Sequence, residues 1–166
     1  MTLLDAPEFN AERYRRHRII LYSTLSVLFT LFVVWWLVAG HPLDWPWNWN
    51  AYIFGRSTVN EFFTAVEQND LKKAYGVWFH DPNWEQHPGQ YSAYTFTRFE
   101  QDWGPESPEN EYGPIHSHRI AAERYVGNVL VVGLFINGRK SAPVFVAYDR
   151  KDRTLSFSPV QLYLGP

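Results

Sequence analysis

Residues 19–40, IILYSTLSVLFTLFVVWWLVAG, form an apolar run with no charged residue and no histidine. About 20 such residues cross a hydrocarbon core about 30 Å thick, so the run predicts a transmembrane helix. Thirteen of its residues are Leu, Ile, Val or Phe. At about 0.3 to 0.6 kcal/mol each they favour insertion by roughly 4 to 8 kcal/mol. A cleaved signal peptide is the competing reading, with Val38-Ala39-Gly40 as small residues for a peptidase, but its apolar region runs only about 7 to 15 residues. Arg13, Arg15, Arg16 and Arg18 crowd the N-terminal flank, whereas Asp44 is the one charge between the run and Arg56. Positive residues stay inside, so residues 1–18 read as a cytoplasmic tail and the rest of the chain as exported. Trp35, Trp36, Trp45, Trp47, Trp49 and Tyr52 are amphipathic rings suited to the headgroup layer, which makes 41–56 an aromatic interfacial linker.

Beyond the linker the period changes. Thr58 and Glu61 have capping-box spacing, and Val59, Phe62, Phe63 and Val66 then recur at i, i+3, i+4 and i+7, predicting an amphipathic helix. Asn69-Asp70 interrupts it and caps a second helix, in which Leu71, Ala74, Tyr75 and Trp78 repeat the spacing. Residues 83–90 read as a loop, and a third helix with Phe96, Phe99 and Trp103 on one face stops at Gly104-Pro105. From Ile115 onward, β-branched and aromatic runs are cut by Gly127-Asn128, Asn137-Gly138 and the charged stretch 149–153. Four antiparallel strands are expected, near 115–125, 129–136, 141–148 and 154–163, with Asn137-Gly138 as a type I′ turn. The second strand is apolar at nearly every position, so both its faces need cover. Pro143 belongs at a strand start or a bulge.

Composition narrows the function classes. The chain has no cysteine, which excludes disulfides, thiolate metal sites and thiol nucleophiles. Beyond residue 40 there are 11 Lys or Arg against 14 Asp or Glu, a balance without the basic footprint of a nucleic-acid binder. Aromatic residues make up 18% of the chain and supply large areas for a core or a contact surface. Residues 57–166 suffice for one domain.

Three helices followed by a four-stranded meander give an α+β class. The order resembles the NTF2-like (cystatin-like) superfamily, in which helices pack on a curved sheet to form a cone. The run VNEFFTAVEQNDLKKAYGVWFHDPNW, with FEQDWGPES after it, resembles the small membrane-anchored NTF2-like proteins of bacteria. That fold hosts isomerases, dehydratases, transport factors and assembly modules, so the resemblance implies architecture rather than activity.

Candidate chemistry is sparse. His116 and His118 stand two apart on an expected strand, a spacing that suits two metal ligands. A site needs a third and a fourth, for which the loop HDPNWEQHPG offers His80, Asp81, Glu85 or His87. No closed ligand set is legible, so no metal or other cofactor is expected. Enzymes resembling this fold use a carboxylate or a His–Asp pair at the cone floor, and no such motif carries over here. Within the membrane run, Ser23, Ser26 and Thr30 lie at i, i+3 and i+7, a small polar face on which a partner helix can dock. The absence of ionisable groups there argues against a proton path, an ion path or an axial ligand. The reading is a non-catalytic single-pass protein of the inner (cytoplasmic) membrane with an exported, periplasmic module. Its expected partners are the lipid bilayer and other subunits of a membrane complex, not nucleic acid. The alternative is an anchored small-ligand binder or isomerase-like enzyme.

Overall fold

The computed structural model describes residues 10–87 and 89–164. The chain divides after His41 into two compact units. In the first, helix α1 (Ala11–Val38) has 28 residues, about 42 Å at 1.5 Å each. It is long and apolar enough to cross a membrane, and none of its residues is buried. It starts eight residues before the apolar run because Asn10 caps it, accepting the Arg13 amide at 2.9 Å. The Arg13 to Arg18 cluster is therefore helical. The Arg18 guanidinium lies 6.0 Å from the Tyr14 ring and 5.7 Å from Tyr22, one turn to either side. At the far end Gly40 is left-handed, with the His41 amide donating to Trp36 O and the Gly40 amide to Leu37 O. Those two bonds form a Schellman cap.

The second unit is α+β. Helices α2 (Trp49–Glu67), α3 (Leu71–Trp78) and α4 (Phe96–Trp103) accompany an open antiparallel sheet. Its strands β1 (His118–Val126), β2 (Val129–Ile136), β3 (Arg139–Asp149) and β4 (Leu155–Phe157) lie in the order β1-β2-β3-β4. The helix periods hold: Val59, Phe62, Phe63 and Val66 of α2 are all buried, as are Ala74, Tyr75 and Trp78 of α3 and Phe99 and Trp103 of α4. Asn69 takes the left-handed position that closes α2, and Asp70 caps α3 by accepting the Lys73 amide at 3.0 Å.

The expected start of α2 at Thr58 is wrong. A 3-10 turn at Pro46–Asn48 leads directly into the helix at Trp49, so much of the expected 41–56 linker is folded domain. Trp49 and Tyr52 are only 4% and 6% exposed, which removes both from the set of headgroup anchors. The reason is tertiary. The Trp49 indole donates to the Asp44 carbonyl at 2.9 Å and the Tyr52 hydroxyl donates to the Asp44 carboxylate, so Asp44 fastens the first turn of α2. Burial, followed by the Asp44 bond, raises the Tyr52 phenol well above its ordinary value.

β2 is buried on both faces, as its composition requires. Leu130, Val132, Leu134 and Ile136 join the helix-side core. On the other face Gly133 leaves room for Phe145, its partner on β3, and for Leu164 of the C-terminal stretch. That stretch was expected to continue β4 to residue 163. Instead β4 stops at Phe157, and the Ser158 hydroxyl turns the chain by donating to Val160 O at 2.8 Å. Pro143 lies in a bulge: Ile136 pairs with Arg139 while Leu134 pairs with Val144, leaving residues 140–143 opposite Phe135.

Gly55 sets the distance between α2 and the sheet. A Cβ there would stand 2.7 Å from Leu130 Cδ2 and 3.0 Å from the Tyr148 ring, both fully enclosed side chains. Gly55→Ala should therefore lower stability by about 1 to 2 kcal/mol, even though Ala favours a helix by about 1 kcal/mol. Denaturant unfolding of the full chain measures this, and unchanged or raised stability would contradict the close approach.

Candidate functional site

Two polar clusters of the unit contain candidate histidines. The first is a seam where one face of α2, bearing Tyr52, Arg56, Asn60, Phe63 and Glu67, meets the edge strand β1. A bulge at Ala121 makes the seam. Ile120 pairs with Leu134 and Ala122 with Gly133, so the alternation shifts by one residue and Glu123 faces the helices. Without the extra residue Glu123 would point outward. Its carboxylate receives Arg56 Nε at 2.8 Å and Nη2 at 3.1 Å, with side chains 11% and 34% exposed.

Farther along the seam His118 Nδ1 meets Glu67 Oε1 at 2.7 Å and Nε2 meets Asn60 Oδ1 at 3.1 Å. The ring stacks on Phe63 at 5.4 Å. Both ring nitrogens are engaged within the chain, so neither offers a lone pair to a metal. His116 lies ahead of β1, exposed, in a segment pinned by Asn137: Oδ1 accepts the His116 amide at 2.8 Å and Nδ2 donates to Pro114 O at 2.8 Å. The strand expected from residue 115 starts instead at His118. Among the described residues no three His, Cys, Asp or Glu side chains converge as a metal-ligand set.

The second cluster closes the loop after α3. Asp81 Oδ2 accepts the Tyr91 hydroxyl at 2.7 Å and lies 2.7 Å from His87 Nδ1, while Oδ1 accepts the Asn83 amide at 2.9 Å. The Tyr91 bond, followed by His87, holds the Asp81 carboxyl below the usual carboxylate range. Burial, followed by Asp81, pushes the Tyr91 phenol up to about 12. A His–Asp pair orients an imidazole as a general base does. Here, however, the His87 side chain is 49% exposed, so water competes for it. His80 takes the left-handed position after α3, its amide donating to Val77 O and that of Asp81 to Gly76 O, the same Schellman closure that ends α1 and α2.

Two surface grooves flank this loop. One, of about 590 Å³, is lined in part by Glu61, Lys72, Lys73, His80 and Trp84. Its charges are paired, Lys72 with Glu85 at 2.7 Å and Lys73 with Glu61 at 4.0 Å. The other, of about 290 Å³, includes His87 and Tyr91. His116 and His118 line neither. Between the helices and the sheet the space is filled by aromatic rings: Trp103 stacks on Phe157 at 5.7 Å and meets Phe62 at 5.0 Å, and Trp78 meets Phe62 at 5.1 Å.

In α1 the Ser23 hydroxyl donates to Ile20 O and the Thr30 hydroxyl to Ser26 O, both at 2.9 Å. These bonds satisfy the two hydroxyls within the helix. Trp36 sets its ring edge-on to His41 at 4.7 Å, and Trp35 meets Phe32 at 6.5 Å. Trp45 and Trp47 stand exposed. Sequence reasoning missed the Ala121 bulge, and with it the inward Glu123, and did not foresee the side-chain bonds of Asp44. The Asn137-Gly138 turn was visible, but its side-chain contacts were not. Comparisons with protein-family models, with functionally described proteins and with solved structures return no match to this chain.

Because its folded-state pKa is lowered, Asp81 contributes to loop closure above the ordinary 3.8, and that contribution is lost as pH falls through the lowered value. The Asn83 amide should stay protected from hydrogen exchange at pH 4 and lose protection only below the ordinary value. Asp81→Asn should abolish the pH step. A step at or above the ordinary carboxylate value would contradict the assigned contacts.

Proposed function

We propose that the chain is a single-pass protein of the cytoplasmic membrane that presents an NTF2-like module on the outer side, as a non-catalytic accessory or assembly subunit of a larger membrane complex. The observation that carries this reading is the dispersal of the histidines. His80 and His87 line different surface grooves, His118 is tied to Glu67 and Asn60, and His116 stands apart. An anchored enzyme or small-ligand binder would bring such groups together in a recessed pocket. The aromatic filling between helices and sheet supports the same reading, since it occupies the space in which a cone holds a ligand. The bare apolar surface of α1 supports a membrane span. Its basic N-terminal flank supports a cytoplasmic N-terminus.

In this reading α1 does more than tether. Ser23, Ser26 and Thr30 present a narrow face on which a second helix packs closely. Replacing all three by Leu keeps the span apolar, so the chain should reach the membrane in normal amounts. It also fills the contact face. Purification in mild detergent should then recover the variant without the proteins that accompany the wild type, a loss of about tenfold or more in co-purified partner. Unchanged co-purification would place the partner contacts on the exported domain alone. A chain that purifies alone in both forms would contradict the assembly role.

A further inference from the structure

We infer that the Trp45-Trp47 platform and the β3–β4 turn form one membrane-seating surface, which holds the exported domain on the lipid headgroup layer. Trp45 and Trp47 stack in parallel at 5.5 Å and are 69% and 68% exposed, beside a fully exposed Leu43. The turn lies about 100 residues later, yet the structure joins it to the platform. Arg150 Nη1 donates to Trp47 O at 3.4 Å and to Asn48 Oδ1 at 3.3 Å, and the Arg153 guanidinium stands 5.9 Å from the half-exposed Phe54 ring. The strand register places Gly127-Asn128 at this same end, with Val129 opposite both Val126 and Asp149.

The occupant follows from chain reach and chemistry. Six residues separate Trp45 from Val38, the last residue of α1, so the connecting chain measures at most about 25 Å. Exposed indoles partition to the headgroup region, and arginine and lysine extend past apolar stems to reach phosphate. The turn supplies Arg150, Lys151 and Arg153 against Asp149 and Asp152, and Asp149 is turned back on the Lys151 and Asp152 amides. Cationic heads beside stacked indoles match the layered polarity of a bilayer surface, with indoles at the headgroup level and cations reaching toward phosphate.

The inference rests on α1 spanning the membrane, and the experiment separates the two. The chain has no native cysteine, so full-length Asp152→Cys, and Lys140→Cys at the opposite end of the sheet, can each carry one fluorophore. Both are reconstituted in 3:1 phosphatidylcholine–phosphatidylglycerol vesicles containing headgroup-spin-labelled lipid. The label at 152 should be quenched about threefold or more beyond that at 140. Trp45→Ser with Trp47→Ser should reduce the difference while the chain still resists alkaline carbonate extraction. Equal quenching at 152 and 140 in a carbonate-resistant chain overturns the seating surface alone. Release by carbonate overturns the membrane span and the seating surface together.

Discussion

The approach of α2 to the sheet is the contact on which the rest of the second unit depends. Gly55 allows the helix backbone to close on Leu130 and Tyr148. The next turns then place Val59, Phe62, Phe63 and Val66 in the core. Phe62 collects Phe63, Trp78, Phe99 and Trp103 around it at 5.0 to 6.0 Å, so α3 and α4 dock on α2. Each such ring pair adds about 0.5 to 1.5 kcal/mol beyond the area it buries. A shift of α2 by one turn would disperse the whole cluster.

The polar seam fixes which turn that is. An ion pair as sheltered as Arg56–Glu123 contributes little net stability, because desolvation offsets most of the attraction. Its value lies in register: a Glu123 without Arg56 would be a mostly buried charge, so alternative helix positions are penalised. The Ala121 bulge belongs to the same device, since it turns Glu123 toward the helix. His118, held by Glu67 and Asn60, repeats the logic at the other end of α2. These residues resemble a catalytic constellation in composition, and the contacts described above join helix to strand.

The sequence revealed the layers better than the joints. Helix period, the Asn69-Asp70 break and the Asn137-Gly138 turn are local signals, and each element they imply is present. The two-faced burial of β2 was legible from its composition, although the covering segment was expected to be a strand. The front of α2 was hidden because Pro46, the Trp-rich run and Gly55 read locally as linker. Their helical state depends on Asp44 and on the sheet, contacts that no local window contains. The shared strand face expected of His116 and His118 failed for the same reason. Two histidines two apart imply a shared face only if both lie in the strand, and Asn137 holds His116 outside it.

Residues 49–56 are the leading turns of a domain helix, directly after the Trp45-Trp47 pair, and not a flexible spacer. Hydrogen exchange of the full chain in lipid bilayer discs measures this directly. Amides of residues 53–56 should be protected within about tenfold of those of 59–66, as one cooperative helix requires. Exchange of 53–56 on the timescale of an open loop, with 59–66 still protected, would contradict it.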